Sequence, residues 1–171
     1  MEFKYIRYGV ILALLSILYG GLLGLGFGCC EDFFKQSFKN DATVVLEEKY
    51  NNDQDKANKV AKKSWVYMKR AHLHSLTMGV ISIVLSLVAA GLAFSPKLQT
   101  GISFLSGLGS IGYGLFWLLA AFRAPGLGST DLAKESVGLL ALVSTVSFMI
   151  AAITLLGIFG YKVFAQKEKN Q

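Results

Sequence analysis

Four long apolar stretches dominate the chain and limit what it can fold into. They cover approximately residues 8–29, 71–94, 98–122 and 136–164. A helix rises about 1.5 Å per residue, so about 20 residues cross the roughly 30 Å hydrocarbon core of a bilayer. The stretches lack strand-like alternation, which argues against an outer-membrane barrel. We therefore expect an all-α, integral membrane four-helix bundle that forms one domain over residues 1–171.

The composition favours a membrane protein over a soluble one. Charged residues make up 16% of the chain, against about 25% in a typical soluble domain. The net charge is +6, but the basic residues flank the apolar stretches, where they would meet lipid headgroups. The chain has no basic-aromatic module of a nucleic-acid-binding type, so we do not expect nucleic acid as a partner. The first apolar run exceeds the roughly 7–15 residues of a signal-peptide core, so we expect it to remain as an anchor.

The long connection between the first two stretches, residues 31–70, is expected to be partly helical. Small and apolar residues recur at helical spacing in its second half, and Asn52 or Asp53 could begin a helix there. No Pro or Gly separates this segment from the second stretch, so we predict one continuous helix over residues 54–94. The second helix would therefore extend beyond the membrane at its N-terminal end. The residues with this spacing are Ala57, Val60, Ala61, Ser64, Trp65 and Met68.

The other two connections are shorter. Ser95 could cap the third helix, and Pro96 suits its first position. A loop is predicted over residues 123–131, because this segment contains Pro-Gly and Gly-Ser pairs. Thr130 or Asp131 would then cap the fourth helix.

With four spans, both termini lie on one side of the membrane and the long connection lies on the other. Most of the 17 basic residues are on the long-connection side, and a positive-inside count would place that side in the cytoplasm. That connection is long and also acidic, however, whereas the short basic N-terminal tail is hard to translocate. We therefore expect a protein of the bacterial cytoplasmic membrane with both termini in the cytoplasm, and the count of basic residues keeps the opposite orientation open.

The only two histidines of the chain occur in the string Arg70-Ala-His72-Leu-His74, at the start of the second stretch. An ionisable side chain at a membrane boundary is costly, which makes it a candidate functional residue. In a helix His72 and His74 lie about 200° apart, so both cannot point into one bundle interior. His74 shares a face with Met78 and with a stripe of small residues. We expect His74 to point inward and His72 to face the loop, lipid or an adjacent helix.

Imidazole and thioether groups both suit haem iron and copper, so His74 with His72 or Met78 could hold haem b or copper. The string Ala71-His-Leu-His74 also resembles the haem-bearing helix starts of haem-copper oxidase subunits. Such subunits carry further histidines on other helices, and this chain has none. A second axial ligand would come from Met78, from another subunit or from water.

Other polar residues fall on the same membrane face as the histidines. Arg70 and Arg123 would suit haem propionates, and Arg123 could instead snorkel to headgroups or pair with an acidic residue such as Asp131. The alternative without a metal is a hydrogen bond from His74 to a carboxylate such as Glu135.

Cys29 and Cys30 are the only cysteines, and a disulfide between adjacent residues is strained. They could be free, modified with lipid, bound to metal or paired between subunits. A zinc or copper site would combine them with His74, His72 and Glu135. The simpler interpretation is a pair of small apolar residues at the end of the first helix.

The segment Gly107–Gly112 has the pattern G-x-G-x-x-G of a dinucleotide-binding loop. No strand precedes it, and it lies in the middle of an apolar stretch that pyrophosphate cannot enter. We interpret it as a packing face, and Gly20, Gly24 and Gly28 form a similar face on the first helix. These glycines predict a tight bundle or a dimer.

Two functional hypotheses follow. No serine is in register with a histidine, so the pattern does not indicate a hydrolase. The stretches also offer no charged residue that could relay ions through the bilayer, which argues against a transporter. We favour a non-catalytic accessory subunit that packs through Gly/Ser faces against partner membrane subunits or a second copy, with its polar residues clustered on the long-connection face. The alternative is a membrane redox module that holds haem b or copper at His74.

Overall fold

The structure, a computed structural model, describes residues 3–92 and 94–162. This part of the chain is helical throughout, with a 3-10 turn at Phe3–Tyr5 followed by α-helices. Four of the helices are long and apolar enough to cross a membrane, as predicted. The predicted end of the fourth stretch, residue 164, lies outside the described residues. The helices are α1 (Arg7–Val44), α2 (Leu46–Tyr50), α3 (Gln54–Gly91), α4 (Pro96–Leu127), α5 (Thr130–Glu135) and α6 (Gly138–Gly160).

Helix α4 lies at the centre of the bundle. It packs along α1, α3 and α6, and α1 also packs along α3. Helix α6 packs almost entirely against α4 and makes only a minor contact with α3. One side of α6 therefore faces outward.

The bundle has two parts with different interiors. The head, which we define as residues 31–70 and 121–136, contains the end of α1, the start of α3, the end of α4, and the short helices α2 and α5. The apolar half contains the rest of the four long helices. Large side chains fill the head, where Phe38, Tyr50 and Tyr67 are at most 2% exposed.

Helix α3 confirms the predicted continuous second helix. It runs without interruption from the head into the apolar half. Asp53 caps it, because the Asp53 Oδ1 atom accepts a hydrogen bond from the backbone N–H of Lys56 at 2.9 Å. The helix ends at Gly91, before the predicted residue 94. Ala93 lies outside the described residues.

Helix α1 shows that the predicted end of the first helix at residue 29 is wrong. The helix continues to Val44, with a kink at Cys30, whose φ of −138° and ψ of 28° are non-helical. Beyond the kink, Phe34, Phe38 and Ala42 recur every fourth residue, and the last two are buried. This apolar spacing explains why the helix continues into the head.

Helix α4 also continues beyond its predicted end, to Leu127, so the first half of the predicted loop over residues 123–131 is helical. Pro125 lies in the last turn of this helix. Gly128 follows with a φ of 67°, and its N–H donates to the carbonyl oxygen of Pro125 at 3.2 Å. A side chain at this φ would be strained, so the glycine sets the end of the helix.

Helices α5 and α6 replace the single fourth helix that was predicted. Ser129 caps α5, because the Ser129 Oγ atom accepts hydrogen bonds from the N–H groups of Asp131 and Leu132. Thr130 and Asp131, the predicted caps, lie inside the first turn of α5 instead. Helix α6 then starts separately at Gly138.

The start of α4 matches the prediction in part. Pro96 occupies the first turn, where the N–H that proline lacks has no helical partner to lose. Ser95 occupies the capping position, but its side chain makes no capping hydrogen bond.

Glycines set the closest helix contacts in the apolar half. A Cβ atom on Gly9 would lie 2.1 Å from the carbonyl carbon of Ser103, and one on Gly107 would lie 2.4 Å from the carbonyl oxygen of Gly9. On the other side of α4, a Cβ atom on Gly109 would lie 2.7 Å from the carbonyl oxygen of Ser144 on α6. The G-x-G-x-x-G string is therefore a packing segment within the bundle, as interpreted from its context.

Candidate functional site

His72 lies against α1, which agrees with the alternative of an adjacent helix and not with the loop or lipid. Its Nδ1–H donates a hydrogen bond to the carbonyl oxygen of Gly20 at 2.7 Å, and this acceptor requires the proton to be on Nδ1. The ring fits beside Gly24, where a Cβ atom would come within 2.7 Å of His72 Cε1. The Phe27 ring contacts it edge-on, at 5.4 Å between centroids. His72 therefore links α3 to the face of α1 that carries Gly20 and Gly24.

His74 points toward α4, in agreement with its predicted inward direction. Its ring lies edge-on to Tyr113, at 5.0 Å between centroids, and is stacked over Trp117 at 6.2 Å. Met78 is half-buried one turn further along the same face. The two imidazoles thus face different helices and do not converge on a common ligand.

Three buried polar atoms near the histidines have no hydrogen-bond partner among the described residues. They are the Tyr19 hydroxyl, Ser75 Oγ and Trp117 Nε1. Helices α1, α3 and α4 meet closely here, since a Cβ atom on Gly114 would lie 1.9 Å from Ser75 Oγ and 3.3 Å from Tyr19 Cε1. Helices this close leave no space for haem b beside His74, and the His74 ring is covered by aromatic rings. The residues present therefore do not fit the haem b predicted there.

The predicted metal ligands lie apart from one another. Within residues 3–92 and 94–162, no three His, Cys, Asp or Glu side chains come together to hold a metal ion. Cys29 and Cys30 are exposed free thiols at the kink of α1, whereas His72 and His74 lie between helices. Glu135 is exposed in the last turn of α5. The zinc or copper site predicted from these five residues is therefore not assembled.

Arg70 stacks on aromatic rings at the boundary between the head and the apolar half. Its guanidinium lies over the rings of Trp117 and Tyr67, at 4.7 and 5.6 Å from their centroids. These two rings contact each other edge-on, at 5.0 Å between centroids. The arrangement is a cation–π contact that covers the core, rather than an arginine directed at a bound anion.

The alternative in which Arg123 pairs with an acidic residue such as Asp131 is not found among the described residues. Asp131 pairs with Lys134 at 2.8 Å, and this hydrogen bond holds the pKa of the Asp131 carboxyl below its ordinary value. Arg123 and Glu135 are exposed, and neither forms an ion pair with another residue that the structure describes.

Tyr50 connects α2 to the end of α4 through a hydrogen bond. Its buried hydroxyl donates a hydrogen bond to the carbonyl oxygen of Pro125 at 2.7 Å. Burial raises the pKa of Tyr50, because the phenolate would be poorly solvated in the head. This contact fixes the head between helices that are distant in sequence.

A groove that the sequence patterns did not predict lies in the head, between α1 and α3. Its volume is about 260 Å³, and it is lined by Lys35, Lys39, Ala61, Lys62 and Trp65. The only local signal for the groove is the spacing of Lys35 and Lys39 by four residues. This spacing places both lysines on one face only if α1 is helical beyond residue 30.

Comparisons of the chain with protein-family models, with curated proteins and with solved structures found no match in any of the three.

Proposed function

We propose that the chain is a non-catalytic accessory subunit of a membrane complex, inserted into the bilayer through α1, α3, α4 and α6. The observation that carries this proposal is the packing of the apolar half, which buries many serines and glycines and exposes many large apolar side chains. Some large side chains are nevertheless buried there, among them Phe94, Ile102, Phe116 and Trp117. On α6, Leu139, Leu142 and Ile153 are each at least 61% exposed. Lipid solvates such a surface, whereas water would drive it into an interior.

The buried serines support a lipid environment for the apolar half. Ser82 Oγ donates a hydrogen bond to the carbonyl oxygen of Ser106 at 2.8 Å, and Ser103 Oγ donates to that of Ile6 at 2.9 Å. Both bonds join different segments of the bundle. Close approach of small residues and hydrogen bonds between helices are the forces available where water is absent.

The outward face of α6 is the surface that we assign to a partner. A Cβ atom on Gly157 or Gly160 would meet no other atom within 4 Å. Both glycines therefore leave room beside the α6 backbone for another helix. Small residues allow the backbone of a second helix to approach closely. The partner is another membrane subunit or a second copy of this chain.

Cross-linking in membranes, followed by purification in mild detergent, tests this function. A discrete complex larger than the monomer is expected. Gly157→Leu should lower its yield by about tenfold, because the new side chain blocks close approach. Gly21→Leu is the matched control, since Gly21 is an equally open glycine on α1. A monomer as the sole product, or equal yields from both variants, would count against a partner on α6.

We also propose, from the short basic N-terminal tail, that both termini face the cytoplasm of a bacterial cytoplasmic membrane. Cys29 and Cys30 provide the test, because both thiols are exposed where α1 enters the head. A membrane-impermeant maleimide should label them in intact cells. Labelling only after cell lysis would indicate the opposite orientation.

A further inference from the structure

We propose that the groove between α1 and α3 binds the phosphate headgroup of an anionic membrane phospholipid. This inference rests on the membrane insertion proposed above and adds a specific lipid site to it. The groove is open to the outside of the head and has three lysines, from two helices, around an apolar floor made by Ala61 and Trp65.

The groove lies just outside the lipid headgroups, within reach of its long lysine side chains. The apolar part of α3 begins near residue 71, so Trp65 stands roughly 9 Å above the hydrocarbon at about 1.5 Å per residue. Lys62 stands roughly 14 Å above it by the same measure. The headgroup region extends roughly 5–8 Å beyond the hydrocarbon on each side, and the long lysine stems reach down toward it. Any tilt of α3 brings the groove closer to the bilayer.

The charges around the groove leave two ammonium groups available. Lys35 is paired with Glu31 at one end of the groove. Lys39 and Lys62, which are both exposed, form no ion pair with any residue that the structure describes. One ammonium on α1 and one on α3 therefore flank the same opening, an arrangement that suits a phosphate oxyanion between them.

The apolar floor distinguishes a lipid from a free anion. The Trp65 side chain is 9% exposed and is held in place by the Phe27 ring, at 4.9 Å between centroids. Tryptophan is typical of the membrane interface, where one side of the ring meets glycerol and ester carbons. A phospholipid supplies these carbons next to its phosphate, whereas inorganic phosphate does not.

The size of the groove favours a lipid over an acidic protein. About 260 Å³ corresponds to roughly nine water molecules at about 30 Å³ each. That space matches a phosphate with its glycerol, and it is too small for a helix or an extended peptide segment. The acyl chains would continue from the groove toward the bilayer along the exposed surface of the bundle.

Lysine footprinting of the full chain in nanodiscs tests the proposal. Discs of phosphatidylcholine alone are compared with discs that also contain phosphatidylglycerol, and acetylation of each lysine is followed by mass spectrometry. Lys39 and Lys62 should react about tenfold more slowly when the anionic lipid is present. Lys63 is the internal control, because it is exposed at the same height as Lys62 and does not line the groove.

A pair of double variants separates the groove from the general positive charge of the head. Lys39→Gln with Lys62→Gln removes two charges from the groove, and Lys59→Gln with Lys63→Gln removes two charges from elsewhere on α3. Native mass spectrometry should show about tenfold less retained phosphatidylglycerol on the first variant and unchanged retention on the second.

Three results would overturn the lipid site. Equal slowing of the acetylation of Lys39, Lys62 and Lys63 would show that the lysines respond only to the negative surface potential of the disc. Equal lipid retention by the two double variants would place the binding elsewhere. Protection of Lys39 and Lys62 by soluble glycerol phosphate in neutral discs would make the ligand a free phosphate ester. A chain that does not enter the discs would overturn the proposed insertion as well, so the two failures are distinguishable.

Discussion

The head and the apolar half differ in the residues that make up most of their interiors, although α3 runs through both. In the head, the largest fully buried side chains are those of Tyr50, Tyr67, Phe38 and Met68. In the apolar half, serines are buried beside a few large side chains such as Ile102 and Phe116, and large apolar residues such as Leu18 and Leu22 are more than half exposed. The fully buried serines of the apolar half are Ser16, Ser75, Ser82, Ser86, Ser103, Ser106 and Ser110.

The contrast is the one expected of a head in water and, as proposed, an apolar half in lipid. Burial of large apolar side chains is favourable when the alternative is exposure to water. That driving force is absent where the surroundings are as apolar as the side chains, and close packing of small residues then holds helices together. A single helix can serve both parts because its faces change composition at Ala71, where the head ends.

Loss of a large buried side chain from the head should have the largest effect. Phe38→Ala should lower the free energy of unfolding by about 3–5 kcal/mol, because it leaves a cavity in a core where this ring is 0% exposed. Equilibrium unfolding in detergent measures it. Phe33→Ala on the same helix is the control, since that ring is 71% exposed and its loss should change stability by less than about 0.5 kcal/mol. Similar losses in both variants would contradict a large-residue core.

Addition of a single methyl group should have the next largest effect, in the apolar half. Gly107→Ala should lower the free energy of unfolding by about 1–3 kcal/mol, because the methyl group would meet the carbonyl oxygen of Gly9 at 2.4 Å. Gly101→Ala on the same helix meets no atom within 4 Å, and it should be neutral or stabilising by up to about 1 kcal/mol. Thermal unfolding of both variants in detergent compares them. A stabilising Gly107→Ala would show that the helices are further apart.

Tyr50 should make the stability of the head depend on pH in the alkaline range. Its folded pKa lies above the ordinary value of about 10, so stability should fall as the pH rises from about 10 through the raised value. Tyr50→Phe should remove this alkaline loss and lower stability at neutral pH by about 1 kcal/mol, because the Pro125 carbonyl loses its donor. Unfolding measured across the alkaline range checks both effects. An unchanged alkaline midpoint in the variant would assign the loss to another group.

The smallest effect should come from single serine hydroxyl groups. Ser82→Ala removes a hydrogen bond to Ser106 on another helix, and it should lower the free energy of unfolding by about 0.6 kcal/mol. Ser64→Ala removes a bond to Val60 within its own helix, so its effect should be smaller. Urea titration of the two variants in the same detergent measures the difference. Equal effects would mean that the bonds between helices contribute nothing specific to the apolar half.

Sequence patterns predicted the parts of the fold that have local signals. Apolar length identified the four long helices, and the absence of Pro and Gly between residues 54 and 71 predicted the continuity of α3. Asp53 and Pro96 were recognised as start signals, because capping depends on neighbouring residues alone. The continuation of α1 also had a local signal in Phe34 and Phe38, which the kink at Cys30 separates from the first apolar stretch.

The candidate site was harder to predict because it depends on which helices are neighbours. Helical spacing separated His72 from His74 correctly, but the placement of α1 decides that His72 meets Gly20 and not lipid. The groove joins Lys39 to Lys62 across two helices, and no pattern within one segment indicates that contact. Local sequence therefore predicted helix faces, whereas the partner of each face required the tertiary arrangement.

Water accessibility of two matched positions tests the division into a head and a membrane-inserted half most directly. Leu132 in the head and Met149 on α6 are similarly exposed, at 53% and 49%. Each is replaced by cysteine in a chain that carries Cys29→Ser and Cys30→Ser, and labelling by a polar maleimide is timed in nanodiscs. The cysteine at position 132 should label at least about tenfold faster than the one at position 149, because the bilayer covers the second. Equal rates in lipid would contradict membrane insertion of the apolar half.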